Sequence, residues 1–194
     1  DEAHSSCVIG KHGGGVDDYF DLLPGDVDIK MGTLSKGLGT CGGYIAGEQS
    51  LIDYLRYSLP GFMFSVGISP PLAAAALEAV KIMIEGNPRV AALHENIKYF
   101  VEGAQRRGFD TCLAKETAII PIMVGEDNDA YELSTLMLEH GVFVPPAVYP
   151  AVPRHQARLR FCVISEHKKE QLDYALDTLD KLFAQKGIPK QRRE

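Results

Sequence analysis

The most chemically suggestive stretch of this chain is Asp28-Ile29-Lys30-Met31-Gly32-Thr33-Leu34-Ser35-Lys36-Gly37-Leu38-Gly39. Lys36 stands just past the apolar run Val27 to Met31, which reads as a buried strand, and small residues surround it. Such a lysine has room about its amine for a bulky aldehyde cofactor. If it is also desolvated there, the neutral amine becomes favoured and can act as nucleophile and base. Taken alone, a lysine in a glycine loop is more often simply solvated.

Other patterns resemble sites and fail on context. Asp1-Glu2-Ala3-His4 spells a nucleotide-hydrolysis box, but no phosphate loop G-x-x-x-x-G-K-[ST] accompanies it. Gly37-Leu38-Gly39-Thr40-Cys41-Gly42 fits the dinucleotide pattern G-x-G-x-x-G, yet it runs into Gly43 to Ala46, which reads as a strand where that pattern needs a helix. His94-Glu95 lacks the second histidine of H-E-x-x-H, because Lys98 stands there, and no other histidine has ligand spacing, so no metal is expected. No G-x-S-x-G elbow occurs.

The elements that would position Lys36 follow from periodicity. Val27 to Met31 and Gly43 to Ala46 are expected as buried strands and Glu48 to Tyr57 as a short helix. A second helix is expected over Leu72 to Ile84, with Pro70-Pro71 in its first turn. Gly86-Asn87-Pro88 is the natural boundary, which divides the chain into residues 1–87 and 88–194. Beyond it, Val90, Leu93, Ile97, Phe100, Val101 and Ala104 recur at helical spacing within Arg89 to Arg107. Then come a strand at Ala118 to Val124, a helix at Ala130 to His140, strands at Val142 to Val144 and Leu159 to Val163, and a closing helix from Lys168 to Lys186. This alternation is α/β, with a small α/β domain following a larger one.

Composition narrows the function classes. With 20 Lys and Arg against 26 Asp and Glu, the net charge is −6, and the only basic cluster is Lys190-Gln191-Arg192-Arg193, so a nucleic-acid partner is not expected. The longest apolar stretches are cut by Glu78 and Lys81 well short of the ~20 residues of a membrane span. Cys7, Cys41, Cys112 and Cys162 are widely spaced, which suits reduced thiols and a cytoplasmic setting. The chain opens on Asp1 rather than Met, so a preceding N-terminal portion is expected.

One ordered constellation gathers these pieces. Asp1-Glu2-Ala3-His4-Ser5, Gly10, Gly13-Gly14-Gly15, Thr33-Leu34-Ser35-Lys36, Gly42-Gly43-Tyr44-Ile45-Ala46-Gly47, Phe62-Met63-Phe64-Ser65 and Ala157-Arg158-Leu159-Arg160 follow one another along the chain. Together they resemble the α-oxoamine synthase family of pyridoxal-phosphate (PLP) enzymes, within the class II aminotransferase superfamily. That family groups serine palmitoyltransferase, 8-amino-7-oxononanoate synthase, 2-amino-3-ketobutyrate CoA ligase and 5-aminolevulinate synthase. Phe62 to Gly67 and Tyr149 to Pro153 are closer to the first two branches than to the aminolevulinate branch. Because such enzymes are about twice this long, the resemblance implies their C-terminal half. The implied fold is that of a fold-type I PLP-dependent transferase, with the C-terminal part of the PLP-binding large domain followed by a small C-terminal α/β domain.

The resemblance also implies roles. Asp1 would face the pyridine nitrogen of pyridoxal 5'-phosphate and keep it protonated. His4 would bond the phenolic oxygen, Thr33 the phosphate, and Ser65 the phosphate of the neighbouring subunit's site in a homodimer. Lys36 would form the internal aldimine and move the α-proton. Arg160 would grip the amino acid carboxylate, a task suited to a planar bidentate donor, with Arg158 as the nearby alternative. The implied reaction is a decarboxylative Claisen-type condensation of an α-amino acid with an acyl thioester, carried on CoA or an acyl carrier protein. A fold-related aminotransferase is the alternative. Cys7 stands where glycine is usual, Gly14 where arginine is common, and Val66 where a second hydroxyl often follows Ser65. None of these departures removes a catalytic group.

Overall fold

The computed structural model describes residues 1–86 and 88–190. The chain divides into two compact units, Asp1–Val90 and Ala91–Glu194. Asn87, in the expected boundary, and the basic cluster from residue 191 onward lie outside the described residues.

The first unit is built on a two-stranded antiparallel ribbon, β1 (Ile29–Thr33) and β2 (Gly43–Gly47), in which Ile29 faces Gly47 and Thr33 faces Gly43. A short helix, α1 (Val16–Phe20), precedes the ribbon; α2 (Gln49–Ser58), α3 (Pro60–Met63) and α4 (Pro70–Ile84) follow it. Neither α1 nor α3 was expected, since one turn is too short to show helical periodicity. Both strands form where the apolar runs suggested, but they are not buried: every residue of β2 is exposed, and only Gly32 of β1 is buried. The reason is topological. Among the described residues no third strand pairs with the ribbon, and no residue of α1 to α4 is buried. Apolar side chains such as Phe64 and Val66 are correspondingly open, at 84% and 97% exposure.

The second unit closes its own core. Most of α5 (Pro88–Arg106) belongs to it, followed by β3 (Ile119–Gly125), α6 (Asp127–Glu139), β4 (Pro146–Ala147), β5 (Ala157–Cys162) and α7 (Lys169–Lys186). The three strands make an antiparallel sheet in the order β3-β5-β4, with Ile122 opposite Leu159 and Ala147 opposite Arg158. Ile97, Phe100 and Ala104 of α5 are buried along with Leu133 and Met137 of α6 and Leu176, Leu179 and Phe183 of α7. Two ring pairs, Phe100 with Phe161 and Phe109 with Phe183, each lie 5.1 Å apart, within the range of favourable aromatic contact. The strand expected at Val142 to Val144 is absent. This segment is irregular, and its place in the sheet is taken by the two residues of β4, because the Pro145 carbonyl accepts the Arg160 N–H.

Among the described residues no helix is long and apolar enough to cross a membrane, no cluster of ligating side chains could hold a metal, and all four cysteines are free thiols.

Candidate active site

Lys36 lies in the loop that turns β1 back into β2. The loop is closed at its base by Leu34 N–H donating to the Gly42 carbonyl (2.9 Å) and Thr40 N–H to the Leu34 carbonyl (2.8 Å), while Gly39 N–H caps the Lys36 carbonyl at 2.9 Å. The glycine pattern from Gly37 to Gly42 is therefore a hairpin connection between strands, and the dinucleotide reading fails for want of a helix. The Lys36 side chain is exposed, and no carboxylate among the described residues pairs with it. The desolvation considered from the sequence is not met at Lys36 itself, whose side chain stays exposed among the described residues of this unit.

The turn carrying Asp1 and His4 is tied to the same strand. Glu2 N–H donates to the Met31 carbonyl at 2.6 Å, and the Glu2 carbonyl accepts Ser5 and Ser6 N–H at 3.2 and 3.1 Å, which winds Ala3 to Val8 into consecutive turns. The Asp1 Oδ1 accepts Ala3 N–H (2.7 Å). Both Asp1 and His4 are exposed. At the far end of these turns, Cys7 packs on the lysine loop: a Cβ added to Gly37 would fall 2.5 Å from the Cys7 Cβ and 3.3 Å from the Ser6 carbonyl oxygen. Only glycine at position 37 lets the two segments come this close.

Glu2 was invisible as an individual in the sequence, where it read as one letter of a box. In the structure it is only 9% exposed and organises the turn: its carboxylate accepts Val16 N–H at 3.1 Å, at the start of α1, and is bonded by the Ser5 hydroxyl. A carboxylate at a helix start is favoured by the orphan N–H groups there. No local pattern in the sequence marked it, because its partner Val16 lies fourteen residues away. Asp18 was missed as well. It accepts His12 N–H at 2.6 Å and Gly14 N–H at 3.1 Å, and these, the His12 bond foremost, hold its carboxyl below the usual range although partial burial pulls the other way.

The hydroxyl residues divide. Thr33 Oγ1 lies 2.9 Å from Ser35 Oγ and donates to the Gly42 carbonyl at 3.2 Å, so two hydroxyls sit side by side at the entrance of the lysine loop. Ser65 is exposed just beyond α3, with its hydroxyl directed to the Val66 carbonyl at 3.4 Å, and the contacts that gather Asp1, His4, Thr33 and Lys36 do not include it. In the second unit, Ala157, Leu159 and Phe161 point from β5 into the core, and by strand alternation Arg158 and Arg160 face the other way, half-buried. Arg158 is engaged, donating to the Gln156 carbonyl at 3.0 Å and its side-chain oxygen at 3.4 Å. Among the described residues Arg160 has no carboxylate partner.

This donor set suits PLP. An open amine without an ion-pair partner fits the aldehyde carbon, a carboxylate with one oxygen uncommitted fits a protonated ring nitrogen, and paired hydroxyls at a glycine loop fit a phosphate.

The model of the family described as aminotransferase class I and II matches residues 1–179. The chain is 44% identical over 188 residues to 8-amino-7-oxononanoate synthase of Thermosipho melanesiensis, covering 97% of this chain and 48% of that protein. It is 40% identical over 181 residues to 8-amino-7-oxononanoate synthase 1 of Bacillus subtilis, covering 93% and 46%. Among solved structures, Sphingomonas wittichii serine palmitoyltransferase superposes with TM-score 0.88 at 28% identity, covering 97% of this chain and 48% of that one. An SPT structure with PLP as internal aldimine superposes with TM-score 0.88 at 25% identity, covering 97% and 48%. The 8-amino-7-oxononanoate synthase of Francisella tularensis gives 0.86 at 26%, covering 97% and 55%. The chain thus spans about half the length of the curated relatives it matches. Two of the enzymes to which the motifs pointed recur among these matches, and the α/β fold expected from the resemblance is the fold of these transferases. The chain belongs to the aminotransferase class I and II family.

Proposed function

We propose that this chain carries the lysine-bearing half of a PLP-dependent acyltransferase that condenses an α-amino acid with an acyl thioester and releases carbon dioxide. One observation carries the reading: the turn bearing Asp1 and His4 is bonded through Glu2 to the strand that leads into Thr33 and Lys36, so the groups such a cofactor needs share one scaffold.

Bound PLP would supply an electron sink for the negative charge that develops at the amino acid's α-carbon. Asp1 would hold the ring nitrogen, His4 the phenolic oxygen, Thr33 the phosphate and Lys36 the aldehyde carbon. Lys36 Nζ, when neutral, takes the α-proton and later returns it, the role of a positioned general base and acid. Arg160, without a carboxylate partner among the described residues while Arg158 is engaged with Gln156, is the one of the two we assign to the substrate carboxylate. Ser65, standing apart from the other groups, fits a role toward the phosphate of a second subunit in a homodimer.

The names of the relatives suggest the first substrates to try. A product called 8-amino-7-oxononanoate divides into a seven-carbon acyl chain ending in a carboxylate and a two-carbon amine left when alanine loses its carboxyl group. Alanine with pimeloyl thioester is accordingly the pair proposed.

The test uses the full-length protein. It is incubated with PLP, reduced with borohydride and digested, and the modified lysine is located by mass spectrometry. Labelling confined to Lys36 is expected, as is loss of label and of turnover in Lys36→Ala. Labelling scattered over many lysines, or full turnover in Lys36→Ala, would overturn the reading. Release of free thiol from acyl-CoA in the presence of the amino acid separates condensation from aminotransfer, which consumes no thioester. Arg160→Lys should raise KM for the amino acid about tenfold or more, since a forked charge-assisted contact is lost.

A further inference from the structure

Tyr44 stands opposite Gly32 in the ribbon, and its ring lies over that glycine: a Cβ at position 32 would strike the Tyr44 ring and hydroxyl. Having crossed β1 in this way, the Tyr44 hydroxyl lies 3.2 Å from Ser6 Oγ, within hydrogen-bond distance. Ser6 belongs to the turns that begin at Glu2 and carry His4, and its carbonyl faces Gly37, next to Lys36. The ribbon therefore holds the His4 turn at two places. The Glu2 N–H bond to Met31 anchors the near end, and the Tyr44–Ser6 bond anchors the far end.

We propose that Tyr44 is a positioning residue: its hydroxyl, through Ser6, sets the distance between the turn carrying His4 and the loop carrying Lys36. Gly32 is the permissive partner, since any side chain there would push the ring off β1. The proposal rests on the PLP reading for its catalytic consequence, whereas the latch itself is a property of the protein without cofactor. A misplacement of about 1 Å between groups that act on one substrate can cost on the order of a hundredfold in rate. A single hydrogen bond at the far end of the turn would set a part of that.

The experiment uses the full-length protein as Tyr44→Phe, Ser6→Ala, the double variant and Ser6→Thr, which keeps the hydroxyl. Without cofactor, amide hydrogen exchange at Ser6, Cys7 and Val8 should quicken about three- to tenfold in Tyr44→Phe and in Ser6→Ala, the range expected for one net hydrogen bond. The double variant should quicken no further, because both substitutions delete the same bond. With PLP and substrates, kcat should fall several-fold while KM for the amino acid stays within about twofold, and Ser6→Thr should restore most of the loss. Unchanged exchange, or effects that add in the double variant, would overturn the latch. A quickened exchange with unchanged kcat would overturn its positioning role. Absence of a Lys36 label in the unsubstituted protein would overturn the PLP reading instead, and is read in a separate experiment.

Discussion

The Glu2 amide donates to the Met31 carbonyl across 2.6 Å, while the Glu2 carboxylate reaches back to Val16 N–H at 3.1 Å. One residue thus joins the Asp1–His4 turn, the start of α1 and the strand leading to Lys36. Glu2→Ala leaves the Val16 N–H without its acceptor, and an unsatisfied group in such a place costs about 1–3 kcal/mol. The unfolding free energy of the full-length protein, read by denaturant titration, should fall by that amount and lower the midpoint, with weaker retention of PLP on dialysis. A midpoint equal to that of the parent would show that water replaces the carboxylate without loss.

Cys7 and Gly37 form a second such pair. Cys7 has φ +67°, a conformation that costs a side-chain-bearing residue ~1–2 kcal/mol, and burial pushes its thiol up from the ordinary value. Gly37→Ala should therefore be disruptive, with loss of Lys36 labelling, because the new methyl meets the Cys7 Cβ. Adding Cys7→Gly should recover much of what Gly37→Ala loses. If the double variant labels no better than the single one, backbone freedom at position 37 matters more than the Cys7 contact. The half-buried Cys7 should also react with iodoacetamide more slowly than exposed Cys41 at neutral pH.

Asp18 gives the first unit an acid sensitivity. Its folded value is depressed, by the His12 N–H above all, so its contribution is complete above about pH 4, the unfolded value, and fades as pH falls through the lower folded value. Asp18→Asn should be less stable than the parent at neutral pH, and the two stability curves should converge in acid. Parallel curves down to pH 2 would contradict this assignment.

In the second unit, buried Asn96 donates to the Ile164, Ser165 and His167 carbonyls at 3.0, 3.3 and 2.8 Å, and His167 Nδ1 accepts Ile164 N–H at 3.2 Å. Asn96→Ala strips donors from the bend between β5 and α7 and should cost about 1–3 kcal/mol by denaturant titration. Burial lowers the His167 value below its ordinary one, so its share of stability is complete above about pH 6.5 and is lost as pH falls toward the folded value. Melting temperature should drop between pH 7 and pH 5, and His167→Gln should flatten that segment of the curve. An unchanged slope would place the titration elsewhere.

The sequence by itself determined the parts of this protein that rest on local periodicity and on residue type. The helical spacing of Leu93, Ile97, Phe100 and Ala104 is the buried face of α5, and alternation along β5 sends Leu159 and Phe161 inward and Arg158 and Arg160 outward. Lys36, Asp1, His4 and Thr33 could be proposed as an ordered set from sequence because their types and order resemble a family of PLP enzymes. Tertiary structure alone decided the rest. Within the described residues of this chain the apolar strands β1 and β2 are mostly exposed, since burial depends on neighbours that no strand's own residues specify. Contacts between residues far apart in the chain likewise leave no period to read: Glu2 to Val16, Cys7 to Gly37 and Tyr44 to Ser6. These contacts cross from one segment to another, and only the folded chain brings their partners together.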